Sequence, residues 1–234
     1  MLRLTVAALL LLGVGVSERL AGQTAGTLPP AWPRDGATPL FENNWVSAWN
    51  VTWADGVSTP MHRHRYDYVG VELETALARV TAADGTSREI GLAAGGSWFL
   101  PKGTTHVETG LGDKPRRHAI IFDLKDTEPA FVANRTSHPA GPELREATPI
   151  VSNPRVSMWS VTWSPERPGA TRYYDRNVVL VFPESGAIEE TTADGTRRVE
   201  RFASGHVKFI AAGESHGFTA LSKAVRVVIV QLER

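Results

Sequence analysis

Two histidines one residue apart, His62 and His64, and a third far downstream, His106, are the residues of this chain best suited to hold a metal ion. On an extended strand alternate side chains share a face, so His62 and His64 enter the same space. Ahead of His106 runs Pro101-Lys102-Gly103-Thr104-Thr105, whose proline and glycine turn the chain sharply into the strand that carries the third imidazole. Three neutral imidazoles converging in one interior suit a single divalent transition metal: iron, manganese, copper, nickel or zinc. Tyr68 has the parity of His62 and His64, as does Glu72; Glu108 has the parity of His106, and Asp67 has the wrong one. A phenol with a pKa near ~10 is a poorer ligand than a carboxylate unless the metal acidifies it. Three ligand shells therefore stay open: three histidines alone, Tyr68 as the fourth group, or a carboxylate such as Glu108. Tyr68 and Glu108 are also the groups placed for proton transfer. Thiolate chemistry is excluded, because the chain has no cysteine.

The elements that must position these residues emerge from an internal repeat. Shifting the chain by 110 residues superimposes Thr38-Pro39-Leu40 on Thr148-Pro149-Ile150, and Trp49 and Trp53 on Trp159 and Trp163. It also superimposes Ala83-Asp84-Gly85-Thr86 on Ala193-Asp194-Gly195-Thr196, and Gly95, Gly103 and His106 on Gly205, Gly213 and His216. A constant offset over so many landmarks marks a duplication. Each copy reads as all-β, with short runs rich in β-branched and aromatic residues, and with Asp-Gly pairs that signal hairpins. Such strands, twice over, predict barrels or sandwiches. The expected division is a first copy at 37–124, a linker at 125–146 holding Pro129, Pro139 and Pro142, and a second copy at 147–234.

The second copy lacks the chemistry of the first. His62 maps onto Arg172, His64 onto Tyr174 and Tyr68 onto Val178, leaving only His216. One histidine beside an arginine does not hold a divalent ion, so the second copy reads as a scaffold. An anion pocket built from Arg172, Tyr174 and His216 is the alternative. The strand tryptophans recur in both copies and belong to core packing. Trp98, which maps onto Lys208, is free to line a pocket, and Arg116-Arg117 reads as a solvated basic spot.

These residues resemble the cupin superfamily. Gly56, five residues and His62-Arg63-His64 are similar to its first motif; Gly95, Pro101, Gly103 and His106 are similar to its second. Where that family places a glutamate ligand this chain has Tyr68, and where it places a later glycine and a final asparagine this chain has Thr75 and Gly110. The resemblance implies two tandem double-stranded β-helix (jelly-roll) barrels, a bicupin whose second barrel is degenerate. It also implies a metal-dependent, dioxygenase-like enzyme acting on a small organic substrate, or lyase, isomerase or hydrolytic chemistry with zinc or manganese. The competing expectation is a non-catalytic periplasmic cupin that binds a small molecule or a metal.

At the N-terminus Arg3 precedes an apolar run from Leu4 to Val16, followed by small residues around Ser17, Gly22 and Ala25. The run is shorter than the ~20 residues a membrane span needs. Residues 1–25 therefore read as a secretory signal, giving a periplasmic or secreted protein without stable membrane insertion after cleavage. A buried helix or an anchor is the alternative. Acidic and basic residues balance at 25 each. No long-range field draws the chain to nucleic acid or an anionic membrane, which leaves a small molecule as its expected ligand, with room for a homodimer.

Overall fold

Alternation in the sequence becomes alternation in burial. In the strand Thr105–Leu111, His106, Glu108 and Gly110 point inward while the residues between them are half-buried. The two Asp-Gly pairs close hairpins as expected: Gly85 and Gly195 sit at φ +87° and +82°, a left-handed backbone that glycine adopts without strain. Asp84 and Asp194 each accept a hydrogen bond from the backbone N–H two residues on, at 2.9 and 3.0 Å. The structure, a computed structural model, describes residues 27–112, 116–142, 144 and 147–233. The expected secretory signal lies outside the described residues.

The first copy contains β1 (Ala37–Glu42), β2 (Val46–Thr52), β3 (His62–Arg63), β4 (Asp67–Glu72), β5 (Ala76–Ala82), β6 (Ser87–Leu92), β7 (Ser97–Leu100), β8 (Thr105–Leu111) and β9 (His118–Leu124). The second contains β10 (Val151–Ser152), β11 (Val156–Trp163), β12 (Arg172–Tyr173), β13 (Val178–Phe182), β14 (Gly186–Thr192), β15 (Arg197–Phe202), β16 (His206–Ile210), β17 (Ser215–Ala220) and β18 (Val225–Leu232). All strand pairs are antiparallel, and the described residues contain no helix. Each copy pairs a five-stranded sheet with a four-stranded one: β1-β2-β9-β4-β7 with β3-β8-β5-β6, then β10-β11-β18-β13-β16 with β12-β17-β14-β15. The chain is thus all-β with two tandem jelly-roll barrels.

The two five-stranded sheets share one core. Val46, Val69, Val71 and Phe122 of the first copy pack with Met158, Val179, Val181 and Val230 of the second, all fully buried. At its edge Trp45 stacks on Phe209 with ring centroids 6.1 Å apart, and Arg155 pairs with Asp67 at 3.0 Å. Apolar burial at roughly 25 cal/mol per Å2 joins the barrels, with the ion pair at the rim.

Two features of the repeat differ from the sequence reading. Val51 pairs with Ala119, whereas its counterpart Val161 pairs with Val227, so the offset falls from 110 to 108 in the last strand. His118 is therefore the counterpart of Arg226, not of Val228, and Arg117 is the counterpart of Val225. The repeat also reaches further upstream than residue 37. Pro30 bridges Arg63 in parallel, and Ala140, out of the stretch read as a linker, bridges Tyr173 in the same way. Each barrel thus has an arm laid beside the strand that opens its site.

Candidate metal centre

Cross-strand register brings the histidines together. His62 on β3 lies directly opposite His106 on β8. The Pro101–Thr104 turn, with Gly103 at φ +82°, fixes His64 by two backbone bonds: His64 N–H to Thr104 O at 2.9 Å and Gly103 N–H to His64 O at 2.8 Å. All three side chains are buried, at 3–4% exposure. One nitrogen from each ring lies within 4.8 Å of the others, and His64 Nε2 is 3.3 Å from His106 Nε2. Two imidazole nitrogens sharing one tetrahedral ion at ~2.0–2.1 Å would be about 3.3 Å apart. The Nδ1–H of His62 donates to Pro60 O at 2.9 Å, which leaves its buried Nε2 as a lone pair without a partner. Fixing the tautomer through the far nitrogen is how metal-ligating histidines are held. Burial, together with the neighbouring His106 and His62, pushes the His64 imidazole down to about 3. It stays neutral, as a ligand must. The donor set fits a divalent metal.

Tyr68 stacks flat on His64 at 3.5 Å between centroids and meets Trp98 edge-on at 5.4 Å. Its hydroxyl is buried without a hydrogen-bond partner, and burial pushes its pKa up, helped by the charge of Glu108. Trp32, from the arm, closes the other side, stacking on Trp49 at 5.9 Å and meeting His64 at 6.1 Å.

Glu108 faces the interior as its parity predicts, but it is committed. It accepts from Arg117 at 2.8 Å and from the Trp53 indole at 3.1 Å. Burial alone would raise its pKa; the Arg117 guanidinium, with help from His106, overrides this and holds the carboxyl at about 2. Glu72 accepts from Arg117 at 3.1 Å and from Trp98 at 2.9 Å, and its second oxygen is buried without a partner. Arg117 is therefore no solvated surface residue. It is 3% exposed, stacks 3.8 Å over the Trp53 ring and bridges two carboxylates. Sequence reasoning missed this residue, because an Arg-Arg pair beside a turn carries no mark of burial.

The second barrel fills the same space with carbon. With the corrected offset, Glu72, Glu108 and Arg117 become Phe182, Phe218 and Val225, all in one apolar cluster. Phe182 packs on Phe202 at 4.2 Å. His216 sits between Glu190 at 2.8 Å and Glu214 at 3.2 Å. The cavity beside Arg172, Tyr174 and His216 measures about 10 Å3, room for no more than a water molecule. An anion pocket is not what this geometry offers, since carboxylates already hold His216.

No known family's sequence model matches the chain, and no curated protein does. Solved structures do. A cupin 2 conserved barrel domain protein from Leptotrichia buccalis is 7% identical with a TM-score of 0.54, covering 84% of this chain and 88% of its own. AerE from Microcystis aeruginosa is 9% identical with a TM-score of 0.60, covering 85% and 97%. Bacillus subtilis oxalate decarboxylase, a protein with Mn(II) centres, is 14% identical with a TM-score of 0.52, covering 81% and 69%. At such identities the likeness shows the fold: this chain has the architecture of cupin-domain proteins.

Proposed function

We propose that the chain is a metal-dependent cupin enzyme, dioxygenase-like, whose first barrel acts on a small organic substrate while the second serves as scaffold. The observation that carries this reading is the convergence of His62, His64 and His106, buried and neutral, with the His62 Nε2 lone pair unpartnered. A divalent ion there supplies Lewis acidity or, as iron, copper or manganese, redox chemistry. Manganese gains support from the oxalate decarboxylase neighbour. The protein's own part is positional. Pro60 O orients His62, Trp32 and Tyr68 wall His64 from water, and Glu108 is fixed as an anion by Arg117 and Trp53. Of the two groups expected to move protons, Tyr68 is the one whose polar atom is uncommitted. The apolar run from Leu4 to Val16 after Arg3 supports a periplasmic or secreted location.

A second reading, a cupin that binds without turning over, rests on a specific observation. Glu108 is tied up by Arg117 and the Trp53 indole, and the buried Tyr68 hydroxyl has no hydrogen-bond partner through which to pass a proton. Elemental analysis tests the site itself. Wild type and His216→Ala should carry one divalent ion per chain, and His62→Ala and His106→Ala close to none. Complete metal loss in His216→Ala would place the site in the wrong barrel. Oxygen uptake by the iron- or copper-loaded protein with catechol then separates turnover from passive binding.

A further inference from the structure

A cavity of about 680 Å3 runs from the surface to His106 between β6, β7 and β8. That is the size of a site for a small organic molecule, typically ~300–1,000 Å3. Its wall is mainly apolar, formed by Val80, Ile90, Leu92, Trp98 and Leu100. It holds one buried cation, Arg117, which is already bound to two carboxylates, Glu72 and Glu108. The triad is formally one negative charge in excess. Arg88, the other arginine at the cavity, is exposed.

The second barrel supplies an internal comparison. Leu92 and Trp98 correspond to Phe202 and Lys208. Phe202 there fills space against Phe182, while Lys208 is tied to Glu190 at 2.8 Å and Glu200 at 3.2 Å. The same fold is thus plugged in one copy and hollow in the other, and the hollow copy is the one with three histidines.

We infer that this cavity takes a largely apolar, ring-bearing molecule, neutral or singly charged, with one oxygen donor directed at the metal, and that it rejects small dicarboxylates. A dicarboxylate with one end at the histidines would bring its second charge towards Glu72 and Glu108, and among the residues lining this cavity there is no uncommitted buried cation to receive it; Arg34, whose charge also reaches Glu108, lines a different cavity. An aromatic ring meets Trp98, Leu92 and Ile90, with apolar contact along its length. The inference rests on the metal-site reading only for the direction of the oxygen donor.

Calorimetric titration of the metal-loaded protein with 2-naphthol and with oxalate tests it. 2-Naphthol should bind one per chain and at least about tenfold more tightly than oxalate. Leu92→Phe, which copies the plug of the second barrel, should weaken 2-naphthol at least about fivefold while leaving metal content unchanged. Glu72→Gln, which removes one negative charge beside Arg117, should raise the affinity for oxalate relative to 2-naphthol by a similar factor. Oxalate binding as tightly as 2-naphthol in the wild-type protein overturns the inference without recourse to any variant. So does 2-naphthol binding that ignores Leu92→Phe in a variant with a wild-type thermal melt. Metal content, read separately, distinguishes failure of the metal site from failure of the cavity: a metal-free His62→Ala protein should still bind 2-naphthol.

Discussion

Replacing Arg117 by leucine should destabilise the first barrel far more than its weight of hydrogen bonds suggests. The guanidinium is buried at 3% exposure and holds Glu108 at 2.8 Å and Glu72 at 3.1 Å. Removing it leaves two buried carboxylates without their hydrogen-bonded counter-charge, with Arg34 acting on Glu108 only at longer range, and breaking a buried pair in this way costs about 3–5 kcal/mol. For a chain of this size that lowers Tm by roughly 6–20 °C. The pH dependence has a definite sign. In the wild type Glu108 is held at about 2, so its contribution is present above the unfolded carboxylate pKa and disappears as pH falls towards 2. In Arg117→Leu the stranded carboxylates bind protons more readily than in the unfolded chain, so the deficit should shrink as pH falls from 7 to 5. A triple variant, Glu72→Phe, Glu108→Phe and Arg117→Val, copies the second barrel's Phe182, Phe218 and Val225. Replacing a whole buried ionic group by packed hydrophobic residues is commonly neutral or stabilising, by about 1–4 kcal/mol, so the triple should recover most of the loss. Thermal and urea melts followed by tryptophan fluorescence read all of this. An Arg117→Leu deficit under about 1 kcal/mol at pH 7, or one that does not change with pH, would refute the reasoning.

Gly70→Ala should be severe for its size, since a Cβ there would lie 2.1 Å from Trp98 Cζ2. The indole must move and release Glu72, so a loss of about 1–3 kcal/mol is expected in the urea midpoint, together with altered tryptophan emission. Asp123, 8% exposed, has its pKa pushed up to about 6 by burial. A carboxyl raised in this way favours the folded state below its unfolded pKa and loses that contribution as pH rises through 6. Asp123→Asn should therefore gain on the wild type, by about 1–3 kcal/mol, at pH 7 and gain little at pH 4.

Much of the architecture was legible in the chain itself. The duplication, the Asp-Gly hairpins and the parity of His62, His64, Glu72 and Glu108 are local properties: strand geometry fixes which face a residue takes once the strand is known. His62 facing His106 follows from that parity and from the turn at Gly103. What tertiary structure decided is the company those residues keep. Arg117 stands just before β9, which lies far in sequence from β4 and close in sequence to β8, yet its guanidinium joins Glu72 of β4 to Glu108 of β8. Burial of a charged group depends on partners drawn from separate strands, and no short window of sequence contains them. The shortened connection before β18 likewise moved the final offset from 110 to 108, which changes the counterparts of Arg117 and His118. Sequence alone assigned the metal ligands to one barrel; only the closing of two sheets around them left a cavity beside a buried arginine–carboxylate triad in that barrel and packed Phe182, Phe202 and Phe218 together in the other.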